Sequence, residues 1–181
     1  MPDEAQGYSA VAKSLHWIVA AIVVALVPMG LVMTDLDHGP LQDRLFLIHE
    51  SFGVSVLALM LARLAVRLRG APAPLDTPAD GGRPVSVLVH GALYLLLLLT
   101  PIVGWFALSA YGRGPSFFGL GQLPALIGKD EPLSKVLFAV HQIGGLMIAA
   151  LVIIHIGGVL RHALVARDEL IWRMLPARRA R

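Results

Sequence analysis

Cysteine is absent from the 181 residues. Without a thiol the chain has no thiolate-ligated iron–sulfur cluster, no covalent c-type haem attachment, no disulfide and no cysteine nucleophile. Redox chemistry would therefore rest on histidine-ligated metal or a diffusible carrier. Charge is scarce too: Asp, Glu, Lys and Arg make up 15% of the chain, against about 25% in an ordinary soluble domain. Apolar residues take their place, at 56% of the chain with a mean hydropathy of +0.72. The net charge of +3 and isoelectric point near 9.7 would suit nucleic acid. Here the basic residues flank apolar blocks, so membrane topology accounts for them and no nucleic-acid partner is expected.

The apolar residues fall in four blocks, at about 15–34, 45–66, 85–110 and 135–161. Each is close to the roughly 20 residues that cross about 30 Å of hydrocarbon as a helix. They predict an all-α integral membrane four-helix bundle in a lipid bilayer, with residues 1–181 as a single transmembrane domain. The first block exceeds the about 7–15 apolar residues of a signal peptide, and no convincing cleavage motif follows, so it reads as a retained span. Pro28 and Pro101 fall inside blocks, which membrane helices tolerate when neighbours satisfy the freed carbonyl. Loops are expected at 35–44, at the Pro/Gly/Asp-rich stretch 70–84, and at 111–134. In the last of these, Phe117-Phe118-Gly119-Leu120 is apolar enough to lie at the bilayer surface.

Orientation follows from the basic residues. Lys13, Arg63, Arg67, Arg69, Arg83, Arg161, Arg167, Arg173, Arg178, Arg179 and Arg181 share one side, and Arg44, Arg113, Lys129 and Lys135 the other. The positive-inside rule places both termini in the cytoplasm.

Seven histidines carry the chemistry. His38 lies in a loop and His162 at a helix end, but His16, His49, His90, His141 and His155 fall within apolar blocks. Polar side chains at membrane depth are costly and mark function by default, and almost no buried carboxylate is expected beside these. His141 and His155 are 14 residues apart in the fourth block. That is roughly 21 Å along a helix and within about 40° of one face. One helix thus offers two imidazoles at two depths. His49 matches His141 in the outer half, while His16 and His90 both match His155 in the inner half, and depth does not choose between them. A haem iron bound on both sides takes two imidazoles from facing helices at one depth, so the pattern predicts two such sites. Gly53 and Gly145 each follow an outer histidine by four residues, leaving room where a porphyrin would sit. The bland readings are packing histidines and glycines used for close helix contact.

Several other residues have double readings. Arg63 would either meet an inner haem propionate or snorkel to the interface. Trp17 reads as an aromatic-belt anchor. His90 and His162 are candidates for quinone or proton contacts, and Arg113, Lys129 and Lys135 would either attract an acidic donor outside or be plain surface charge.

At these residues the chain resembles the bacterial cytochrome b561 family, related to the cytochrome b subunits of membrane hydrogenases and formate dehydrogenases. The matching stretches are Ser14-Leu15-His16-Trp17, Ile48-His49 with Gly53, Leu61-Ala62-Arg63-Leu64, His90 through Tyr94 to Pro101 and Gly104, the pair His141 and His155, and Arg173-Met174-Leu175-Pro176. The resemblance covers nearly the whole chain. It implies a four-helix bundle with two bis-histidine haems b, His16 and His155 holding the inner and His49 and His141 the outer.

With both axial positions filled, such haems pass electrons and leave substrates no open site at iron. The expected function is a transmembrane electron wire in the bacterial inner membrane, exchanging electrons with quinone and with a donor that no motif identifies. The resemblance adds superoxide:quinone oxidoreductase as an activity. Two other functions compete: a cytochrome b subunit anchoring a partner oxidoreductase, and a haem-free transporter or proton channel lined by histidines.

Overall fold

A computed structural model describes residues 7–70, 82–167 and 171–175. These hold four long helices, α1 (Ala10–Asp35), α2 (Pro40–Arg69), α3 (Gly82–Tyr111) and α4 (Glu131–Arg161). No strand is present among the described residues beyond one antiparallel bridge, Ser116 to Gln122. All four helices are long and apolar enough to cross a membrane, and large apolar side chains such as Val24, Leu68, Val87, Leu95 and Ile153 face outwards. The protein is an all-α, multi-pass membrane bundle in a lipid bilayer. Most of the expected linker at 70–84, and Arg178, Arg179 and Arg181 of the basic tail, lie outside the described residues.

Each helix begins before its apolar block, and in α1, α2 and α4 the residues at the start account for it. Ser9 caps α1, its Oγ accepting from the Ala12 N–H at 3.2 Å. Pro40 opens α2 directly after Gly39, where its missing N–H costs nothing. Asp130 caps α4 by accepting from the Leu133 N–H at 3.0 Å. The loop expected at 35–44 therefore shrinks to 36–39, and Ser134, expected in a loop, lies in α4. Pro28 and Pro101 sit inside α1 and α3.

The helices pack as two hairpins, α1 with α2 and α3 with α4, with sparser contact between them. α3 and α4 come close because Gly144 faces Thr100; a Cβ there would lie 2.6 Å from the threonine Oγ1. Val19, Val23, Val56, Met60 and Ile148 form the small shared core.

The connection at 112–130 is knit to the bundle. The Leu126 N–H donates to Ser109 Oγ at 3.0 Å, Trp105 Nε1 donates to the Pro124 carbonyl at 3.0 Å, and the Asp130 N–H donates to the Ala110 carbonyl at 2.8 Å. Gly114 passes against the Leu123 carbonyl, where any side chain would collide with backbone. At the opposite end of the bundle, Lys13 and Trp17 of α1 each donate at 2.9 Å to the carbonyls of Leu175 and Met174.

Candidate functional site

Both hairpins contribute imidazoles to the gap between them, at two levels. At the first, His49 of α2 faces His141 of α4 with ring centroids 6.0 Å apart and planes at 79°. His141 is seated by α3: its Nδ1 donates to the Thr100 carbonyl at 2.8 Å, which leaves Nε2 as the free lone pair. Gly104 makes room for that ring, since a Cβ there would lie 2.8 Å from both Cε1 and Nδ1 of His141. Gly30 of α1 makes room for His49, whose Cε1 would be 3.1 Å from an added Cβ.

At the second level, His16 of α1 and His155 of α4 lie 6.3 Å apart with planes at 71°. His90 of α3 is closer to His155, at 5.0 Å, and its Nδ1 donates to the Ser86 carbonyl at 2.6 Å. Arg63 of α2 completes the group, so each helix sends one residue here. Its Nε donates to Tyr94 Oη at 3.1 Å, and the guanidinium carbons of Arg63 and Arg67 lie 5.4 and 5.3 Å from the Tyr94 ring. Arg63 is therefore held by an aromatic partner inside the bundle.

The Nδ1 atoms of His16 and His49 are buried without a hydrogen-bond partner of good geometry among the described residues. Gly53 and Gly145 differ from Gly30 and Gly104: a Cβ at either would meet nothing within 4 Å. Two glycines thus seat imidazoles, and two border open space. Among the described residues no three His, Asp or Glu are grouped so as to hold a metal ion between them. His38 stands apart, bonded to Gln42 Oε1 at 3.0 Å, and His162 lies in a π-helical turn after α4.

Arg113 is more than surface charge: it forms an ion pair with Glu50 at 2.6 Å. Hydrogen bonding to that carboxylate raises the Arg113 pKa above its ordinary value. Glu50 is itself only 8% exposed, a buried carboxylate beside His49 that the sequence reading did not anticipate. Its signal was an acid at membrane depth, which demands a partner. Lys135 pairs with Glu131 at 3.1 Å on the surface, and the Lys129 side chain packs against Gly112.

A family model described as prokaryotic cytochrome b561 matches residues 7–177. The chain belongs to that family. Among curated relatives, "Probable superoxide oxidase CybB" of Yersinia pestis is 28% identical over 95% of this chain and 97% of its own length. "Cytochrome b561 homolog 1" of Escherichia coli strain K12 is 31% identical over 72% of this chain and 74% of its own. "Cytochrome b562" of Cereibacter sphaeroides is 26% identical over 95% and 97%. Membership of the cytochrome b561 family makes the chain a bacterial membrane electron-transfer protein, and b-type haem is the group the family implies.

Proposed function

We propose that the chain holds two b-type haems, one at each imidazole level, and carries electrons across the bacterial inner membrane to quinone in the bilayer. His49 and His141 would hold the outer haem, His16 and His155 the inner. The separation of the two pairs carries this reading. Imidazole–metal bonds of about 2 Å on opposite sides of one ion put the ring centroids roughly 6 Å apart. The pairs lie at 6.0 and 6.3 Å. His90 and His155, at 5.0 Å, are too close to oppose each other across one metal, which favours His16 as the inner partner. The open space beside Gly53 and Gly145 suits a flat macrocycle.

Bound haem b supplies reversible one-electron transfer. The chain's residues do the rest. Four imidazoles, two to each haem, would hold the groups and keep substrate off the metal. The Thr100 carbonyl fixes the His141 tautomer. Arg63, braced by Tyr94, sets a positive charge at the inner level, where it would meet a porphyrin carboxylate. The basic residues at Lys13, Arg63, Arg67 and Arg161 orient the bundle with both termini cytoplasmic.

The name of the Yersinia relative makes superoxide the donor of first choice. Two superoxide anions would each lose one electron to become O2, and one quinone would take both electrons with two protons. The test is the dithionite-reduced minus oxidised spectrum of protein purified in detergent, followed by superoxide-driven quinone reduction. Sharp α and Soret bands and stoichiometric quinol are expected. A colourless protein from haem-replete cells would overturn the haem reading and favour a histidine-lined channel. Intact bands without quinol would overturn the quinone step.

A further inference from the structure

The two hairpins pack more closely within themselves than against each other, yet both imidazole pairs span the gap between them. The width of that gap therefore decides whether two opposed rings can share one metal. At the outer level Glu50 is built to set it. The residue follows His49 directly in α2 and is 8% exposed. Its partners all come from the far hairpin. Arg113 Nη2 donates to Oε1 at 2.6 Å and Nη1 to Oε2 at 2.9 Å, and the Ser116 N–H donates to Oε2 at 2.8 Å. Ser51, next in sequence, accepts from the Phe118 N–H at 2.7 Å, its own hydroxyl proton going to the Leu47 carbonyl at 2.6 Å.

The connection gripped in this way holds α3 through Trp105 and Ser109. Trp105 directly follows Gly104, the residue that seats His141. A continuous polar path thus runs from the neighbour of one outer imidazole to the neighbour of the other's seat. A buried carboxylate is poor evidence for net stability, and its best-attested use is to fix register.

We propose that Glu50 is a positioning residue for the outer imidazole pair: its clasp on Arg113 and Ser116 ties the helix carrying His49 to the hairpin carrying His141 and holds the rings at the separation one metal needs. This rests on the di-haem reading.

The test compares the purified holoprotein with Glu50→Gln, Arg113→Gln and Arg113→Lys. Haem per chain, the low-spin ferric EPR signals, carbon monoxide binding to the reduced protein and the two midpoint potentials are measured. Both Gln variants break the same clasp, so they should change the outer haem in the same way. Its EPR signal shifts and one of two reduced haems binds carbon monoxide, while the inner haem is unchanged. Arg113→Lys keeps the charge but loses the planar fork and should fall between, so it carries the test if Glu50→Gln does not fold. Opposite shifts of the outer potential in the two Gln variants, without carbon monoxide binding, would mean that only charge matters and overturn the proposal. Parallel loss of both haems would reduce the clasp to general stability and overturn it as well. A colourless wild-type protein brings down the di-haem reading and this proposal together. Two haems in the wild type with an unaltered outer signal in every variant sinks the clasp alone.

Discussion

Gly104→Ala is the sharpest perturbation of the outer level. The new Cβ would lie 2.8 Å from both Cε1 and Nδ1 of His141, where apolar contacts ordinarily settle at about 3.5–4.0 Å. The ring must therefore move by roughly 1 Å. That shift stretches the 2.8 Å bond from Nδ1 to the Thr100 carbonyl towards the limit at about 3.5 Å where such a bond ceases to count. Overpacking costs about 1–3 kcal/mol and a lost hydrogen bond about 1 kcal/mol, while alanine returns up to about 1 kcal/mol of helix propensity. The balance is a destabilisation of about 2 kcal/mol. Disturbing the residue that orients a metal-binding imidazole typically weakens metal binding by about 10–100-fold. Haem titration into the depleted protein, followed by redox-resolved spectra, should show the outer haem weakened by that factor and the inner one untouched. A Gly104→Ala protein with two haems of normal affinity and unchanged outer spectrum would refute the seating argument.

Gly53→Ala and Gly145→Ala should behave differently, because the added methyl meets no protein atom within 4 Å. The haem-depleted protein should be more stable than wild type by up to about 1 kcal/mol, the helix propensity that alanine returns, while the loaded protein retains less haem; differential scanning of both forms checks this. His16→Ala should lose the inner haem and His90→Ala keep it, read from reduced spectra; the reverse would make His90 the ligand. Arg113→Gln strands the Glu50 carboxylate. Breaking a buried pair costs about 3–5 kcal/mol, and the low end applies because the Arg113 side chain is 31% exposed; thermal unfolding in detergent measures it.

The spans were legible because hydropathy reports which residues lie in hydrocarbon. The starts of α1, α2 and α4 were not, since Ser9, Pro40 and Asp130 extend these three helices through polar turns that hydropathy ignores. The juxtaposition of His49 with His141 could be anticipated from matched depths, and the 14-residue spacing on α4 placed His155 at the second level. Depth left His16 and His90 equivalent. Their different distances from His155 depend on how α1 and α3 pack around α4, which no periodicity encodes. Gly53 and Gly145 stood out by following histidines in their own helices. Gly30 and Gly104 seat histidines of other helices, so nothing local distinguished them. Glu50 and Arg113 are 63 positions apart, one inside an apolar block and the other in a loop, and only the fold pairs them.

The haem-to-chain ratio of the purified protein, taken with the same ratio for His49→Ala and His16→Ala, bears most directly on the claim that the bundle holds two metal levels. Two haems are expected in the wild type and one in each variant, with different spectra remaining. One haem or none in the wild type, or loss of both haems in either variant, would contradict it.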